Sequence, residues 1–294
     1  MRRVITRLAP LLILAGGALA CTGSAEESGG AERAAKGCQG VGCNLEALLD
    51  DSEQQRREPW RVLQAESFRI FHFDDELAAQ LAQQAERQRL RQLRQWLGPV
   101  PIGPWSPRCD IYLYPTNQMM VTLSGGRSKA GSALSSPSRL YRGRIVSRRI
   151  DLTADDRLLF RRTLPHEVAH VVLNALLTQD VPPWAHEGLA TLEEPQGFQQ
   201  TARDLVAEEL AAGRAFSVKA VMEMSRYPDQ EYVQLFYAQS FSLTRFLVGA
   251  RGRPTFLAFL RAAQPGRVEA SLRFHYGWGY PELQQHWTDS VGGR

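Results

Sequence analysis

The two histidines of His166-Glu167-Val168-Ala169-His170 stand four residues apart, with a glutamate directly after the first. On an α-helix, side chains at that spacing project from one face a turn apart, so both imidazoles can reach a single metal ion. Glu167 lies one residue round from that face. There its carboxylate can take a proton from a water that the metal activates, rather than ligate the metal. Val168, Ala169, Val171, Val172 and Leu173 carry no charge, so the segment can be buried, as a metal-bearing helix requires. The sequence allows two starts for this helix: a run from Asp155 to Leu177 kinked at Pro165, or a start at Pro165, where proline suits a first turn. Both leave the two histidines helical.

A third protein ligand must come from elsewhere, leaving a fourth position open for water. Pro182-Pro183 interrupt the chain, and Pro183 can open a second helix carrying Trp184-Ala185-His186-Glu187-Gly188-Leu189-Ala190. His186 and Glu187 both have ligating chemistry. Neighbours on a helix point about 100° apart, however, so only one of them faces a metal held by the first helix.

HExxH followed by W-x-x-E-G-x-A resembles the gluzincin metallopeptidases, and most closely the bacterial peptidase-MA-like domains. The resemblance rests on His166, Glu167, His170, Trp184, Glu187, Gly188 and Ala190. It implies Zn2+ held by His166, His170 and Glu187, with Glu167 as the base in peptide-bond hydrolysis. It also implies an α+β, gluzincin-like fold, with a small N-terminal mixed sheet beside the active-site helix and a mainly helical C-terminal subdomain. Related enzymes pair extended substrate with an edge strand, which on this chain points to residues 144–152. They also take a phenol from a helix beyond the third ligand to stabilise the oxyanion. Tyr237, in Tyr237-Ala238-Gln239-Ser240, fits that order, with Tyr232 as a rival and core packing as the plain alternative. Thr191, one turn past Glu187, is a candidate to hydrogen-bond a ligand.

The elements that must position these groups are legible in outline. Phe68 to Phe73 alternates as a strand does, and Asp74 or Asp75 can cap a helix from Glu76 to Leu97, ended by Gly98 and a proline cluster. Cys109 to Tyr114 predicts a strand, Asn117 to Leu123 a short helix, Ser124 to Ser138 a Gly/Ser-rich loop and Leu140 to Leu152 strand material. After Glu187 the pattern is helical over Gln199–Ala212, Val218–Met224, Tyr232–Val248, Pro254–Ala263, Arg267–Phe274 and Pro281–Ser290. Arg87, Arg89, Arg91 and Arg94 make the helix at 76–97 basic, which suggests a solvated face. His72, His275 and His286 suggest packing or surface rather than ligation.

With 294 residues and 44% hydrophobic content, the chain is long enough for a substantial core. Its net charge of +4 owes three units to Arg2, Arg3 and Arg7. The remainder is close to neutral and gives no footprint for nucleic acid. Those arginines, the apolar run Leu8 to Leu19 and Ala18-Leu19-Ala20 have the form of a signal peptide over residues 1–20. Cys21 follows directly and resembles a lipobox cysteine, although Ala18 stands where a larger aliphatic is usual. Export is expected, either as a cell-envelope lipoprotein anchored at Cys21 or as a periplasmic or secreted protein. Residues 21–57 have the composition of a flexible tether, ahead of a metallopeptidase domain at 58–294. With Cys21 lipidated, Cys38 and Cys43 form the natural disulfide pair, and Cys109 is a buried small side chain. The expected partner is a peptide or protein substrate. No exopeptidase anchoring motif is evident, which favours an endopeptidase, and the sequence sets no oligomeric state. The competing reading is a catalytically inactive, peptidase-like binding or scaffold lipoprotein.

Overall fold

A computed structural model describes residues 60–123, 133–141, 144–177 and 179–293. The signal-peptide and tether segments at 1–57, with Cys21, Cys38 and Cys43, lie outside the described residues, as does most of the Gly/Ser-rich stretch.

Strand alternation builds a five-stranded sheet in the order β1 (Arg61–Gln64), β2 (Phe68–His72), β3 (Cys109–Tyr114), β5 (Arg144–Thr153), β4 (Ala133–Tyr141). β2, β3 and β5 run parallel, and β4 lies antiparallel to β5. Because side chains alternate across a strand, one face carries Phe68 and Ile70, Cys109 and Ile111, and Ile150 and Leu152, all buried. Helix α1 (Asp75–Leu97) covers that face with Ala78, Leu81, Ala85, Leu93 and Trp96. Asp74 caps it, its side chain accepting from the Leu77 amide at 3.0 Å, and Gly98 ends it at φ 77°. Helix α2 (Asn117–Leu123) follows β3 as the sequence indicates. Cys109 is a free, buried cysteine whose thiol is pushed far up by that burial, so it is inert packing.

Four local expectations change. The Ser-rich residues 133–138 belong to strand β4, not to a loop. β4 ends the sheet, and Pro137, which has no N–H to donate, falls where the register shifts between Ser136 and Arg139, the setting in which a strand tolerates proline. β5 is consequently interior, paired to β3 on one side and β4 on the other. Residues 148–152 therefore offer no free edge, while 144–147 pair with β4 alone; the outermost strand is β4.

The arginines of α1 are not uniformly solvated either. Arg89 is buried, donating to Glu86 and to the Gly103 carbonyl and lying 5.4 Å from the Trp105 ring centre. Arg91 reaches Glu193 at 2.7 Å. Helical spacing could not separate these from exposed Arg87 and Arg94, because their partners arrive from distant segments.

Between β5 and the His-x-x-x-His motif the α-helix starts within one residue of the expected Pro165, but a turn the sequence did not show precedes it. A π-helical turn spans Leu159–Thr163, with the Leu164 amide reaching back five residues to the Leu159 carbonyl, and runs straight into α3 (Leu164–Leu177). The wide turn sits where Pro165, lacking an amide hydrogen, would otherwise break the ladder. α4 (Pro183–Leu192) then opens with proline at its first position, as expected. The helical half continues through α5 (Gln196–Ala211), α6 (Val218–Glu223), α7 (Val233–Ala262), α8 (Val268–Tyr276) and α9 (Tyr280–Gly292). α7 breaks at Gly252 (φ 79°), so the two helices expected on either side of it stand end to end. The fold is thus α+β, with the sheet first and the helices after. Among the described residues, no helix is long and apolar enough to cross a membrane.

Candidate metal centre

The apolar residues of α3 explain how polar groups come to be held inside. Leu164, Val168, Val171, Val172 and Leu173 are at most 1% exposed, and each contributes about 1.5–3 kcal/mol by leaving water. That sum exceeds the several kcal/mol it costs to bury a few polar groups, provided those groups find partners. α4 is drawn tightly onto α7 by a missing side chain. A Cβ on Gly188 would lie 2.3 Å from the Ser240 carbonyl oxygen and 2.1 Å from Thr244 Oγ1. Glycine follows Glu187 because only glycine lets the helix carrying the carboxylate approach this closely.

His166 and His170 project from one face of α3, their ring centres 4.9 Å apart. Glu187 comes from α4 to meet them: its Oε2 lies 3.5 Å from His166 Nε2 and 3.9 Å from His170 Nε2. One ligand atom from each of the three lies within 4.8 Å of the others, and no other such group of His, Cys, Asp or Glu occurs among the described residues. Glu187 is 2% exposed, and its Oε2 has no hydrogen-bond partner. A buried, unpartnered carboxylate oxygen facing two imidazole nitrogens is the arrangement a metal cation completes. Two nitrogens and one oxygen, with a further position left to solvent, suit zinc in particular.

Each of the two histidines is steered from behind. Nδ1 of His166 bonds Glu194 Oε1 at 2.8 Å, and the other oxygen of Glu194 accepts from Arg162 Nε at 2.8 Å. Nδ1 of His170 meets Nδ1 of His186 at 3.3 Å. One of these nitrogens must donate and the other accept, since burial lowers the pKa of both imidazoles, that of His186 to about 4. His186 thus backs a ligand and leaves the ligating position to Glu187. Burial lowers His166 as well, but the neighbouring Glu187 carboxylate and the hydrogen-bonded Glu194 outweigh this and hold it up at about 10 in the metal-free arrangement.

Glu167 is buried on the same turn, near enough to His166, Tyr227 and Tyr237 for its charge to raise all three pKa values. Tyr227 donates to Glu187 Oε1 at 2.6 Å. Tyr237 lies near enough to Glu187 for that carboxylate to raise its pKa, and stacks on Tyr227, ring centres 6.1 Å apart. Burial first, and the Glu187 carboxylate second, push both phenols well above their ordinary pKa, so both stay protonated donors. Tyr237 therefore stands at the site. Tyr232 does not: it is 46% exposed and packs on Phe216.

Thr191 is buried but makes no side-chain hydrogen bond to a ligand; Glu194 fills that role. His72 is buried in its strand, while His275 and His286 pack against Phe274 and Trp278. The sequence reading missed Glu194, Arg162 and Tyr227. Glu194 stands beside Glu193 just past the end of α4, where spacing could not say which carboxylate turns inward. Tyr227 lies between α6 and α7, outside any periodic pattern.

Fold and site together define a metallopeptidase-type centre: a His-x-x-x-His helix and a Glu-bearing helix meeting beside a mixed sheet. The family comparison agrees. A family model described as Peptidase MA superfamily matches residues 147–293, from β5 through α9, and the chain belongs to that superfamily. No curated protein matches the chain.

Proposed function

We propose that this protein is a zinc-dependent peptidase that hydrolyses internal peptide bonds of a peptide or protein substrate. The observation that carries the reading is the unpartnered Oε2 of Glu187 between the two imidazole nitrogens, with the Glu167 carboxylate on the next residue of the same helix turn. Zinc held by His166, His170 and Glu187 would supply Lewis-acid chemistry, lowering the pKa of water and polarising a substrate carbonyl. Glu167 takes the proton of the attacking water and hands it to the leaving amine. Tyr237, held protonated, donates to the carbonyl oxygen as it gains charge. His186 and Glu194 fix the ring planes of the two histidines. β4 is hydrogen-bonded on one side only within the sheet, so an extended peptide can pair along it.

The signal-peptide pattern and Cys21 support export and a lipid tether to the cell envelope, with cleavage to a periplasmic or secreted form as the alternative. The absence of an exopeptidase anchoring motif supports endopeptidase action.

The deciding experiment is Glu167→Gln, assayed on a peptide library with zinc content measured alongside. Zinc should stay near one per chain while hydrolysis falls by roughly a thousandfold or more. Full hydrolysis by the variant would remove Glu167 from the mechanism. Zinc-loaded wild type that cleaves nothing would leave the inactive binding-protein reading in its place.

A further inference from the structure

Away from the metal centre, the first β3–β5 pair is Cys109 with Arg148, so β5 runs on past the start of β3 through Arg144–Ser147. The overhang leaves a cavity of about 240 Å3, whose lining includes Gln64, Arg69, Arg108, Asp110, Ser147 and Arg148. That is far more than the ~10–15 Å3 one water needs, and slightly below the roughly 300–1,000 Å3 of pockets for drug-sized ligands. It fits a small molecule or a single headgroup rather than a stretch of peptide. None of the residues of the metal centre lines it.

Its charges do not balance. Asp110 is the only acidic residue in the lining, and Arg69 occupies both its oxygens, Nε to Oδ1 at 2.9 Å and Nη2 to Oδ2 at 2.7 Å. Among the described residues Arg108 pairs with no carboxylate: its Nε donates to the Ala65 and Glu66 carbonyls and its Nη1 to Gln64 Oε1. Arg148 is 6% exposed and, among the described residues, pairs with no carboxylate either. One of its nitrogens donates to the Pro107 carbonyl, while its Nε is buried without a partner. Its guanidinium lies 5.1 Å from the Trp105 ring centre, the ring that Arg89 also approaches, and Arg89 already has Glu86. Burial lowers the Arg148 pKa, and the charge of Arg89 pushes the same way.

A buried cation with an unsatisfied donor is costly unless an anion completes it. Guanidinium forks match oxyanions, and two unmatched positive charges match a dianion. We propose that this cavity is a binding site for a phosphate dianion, with Arg148 as its buried floor and Arg108 as its outer clamp. The same group is offered by free phosphate and by the headgroup of phosphatidic acid.

The test is calorimetric titration of inorganic phosphate into the zinc-loaded full chain at pH 8 and fixed ionic strength, repeated with acetate. One saturable phosphate site is expected, with acetate at least roughly tenfold weaker. Arg108→Gln, at an exposed position, should weaken phosphate by about tenfold without moving the melting temperature. Arg148→Met should abolish binding; if that variant does not fold, Arg108→Gln decides alone. No saturable binding, or wild-type affinity in Arg108→Gln, overturns the proposal. Sedimentation with phosphatidylcholine vesicles, with and without phosphatidic acid, separates the two sources. Arg108-dependent capture by phosphatidic acid places the anion on a membrane surface, and free-phosphate binding without capture places it in solution.

Discussion

His166 Nδ1 and Glu194 Oε1 are 2.8 Å apart, and this bond fixes which face of the imidazole is left for a metal. With Nδ1 committed to a carboxylate, Nε2 is the nitrogen that meets Glu187 Oε2. Arg162 holds Glu194 in turn, so a chain of charges runs from the π-helical turn through Glu194 to the ligand. Such partners raise ligand basicity and fix ring orientation. Glu194→Gln keeps the shape and removes the charge. Zinc affinity, measured by competition with a chromogenic chelator, should fall about 10–100-fold. Unchanged affinity would show that the bond is structural only.

The same pair makes metal loading a proton exchange. In the metal-free chain His166 is held up at about 10, chiefly by the carboxylates of Glu187 and Glu194 acting against burial, so it carries a proton at pH 7.5. A ligating imidazole must be neutral, so binding releases that proton and affinity should climb with pH up to about 10. The stability of the metal-free chain runs the opposite way. A histidine raised above its unfolded value of about 6.5 stabilises fully below that value, and the contribution is lost as pH rises through the folded pKa. Calorimetry in buffers of different ionisation enthalpy should report close to one proton released per zinc at pH 7.5. A value near zero would mean that His166 is already neutral.

The sequence made the cluster of His166, His170 and Glu187 legible because a four-residue spacing and a proline-started helix are local facts. His166, His170 and Glu187 need only two helices of ordinary geometry to be placed on facing surfaces. What supports them was not legible, because those contacts join segments distant in the chain. Arg91 meets Glu193 across 102 positions, and Tyr227 meets Glu187 across 40. Strand order failed for a related reason. Alternation shows that residues 144–152 form a strand but not which neighbours it takes, and the Ser-rich partner that makes β5 interior carries little strand signal. Pro165 marks the helix start to within one residue, while the π-helical turn ahead of it has no comparable local sign.

Gly188 is a position where a methyl group should do measurable harm. The obstructing atoms are the Ser240 carbonyl and Thr244 Oγ1, and the carbonyl belongs to α7 backbone that cannot rotate away. Gly188→Ala must therefore push α4 off α7 and carry Glu187 with it. We expect a loss of about 1–3 kcal/mol in denaturant unfolding, at the level of an overpacked core. Zinc affinity should drop with it, and a variant of unchanged stability and affinity would refute the close approach of the two helices.

Tyr227 and Tyr237 both lie close to Glu187, yet substitutions at the two should separate. Tyr227 donates to Oε1 at 2.6 Å, while Oε2 is the oxygen that meets the imidazoles, so it positions Glu187. Removing its hydroxyl leaves Oε1 without that donor, and Tyr227→Phe should weaken zinc binding while turnover per bound zinc changes little. Tyr237 extends from the first turns of α7 beside Glu167, where a substrate carbonyl would develop charge. Tyr237→Phe should leave zinc affinity and KM close to wild type and lower kcat by about 10²–10³-fold, the loss expected for one oxyanion donor. Steady-state kinetics on zinc-saturated variants, with metal content measured on the same samples, distinguishes the two effects. Should Tyr227→Phe carry the kcat loss and Tyr237→Phe the metal loss, the two roles are exchanged. If neither variant changes kcat, the oxyanion is stabilised without a phenol.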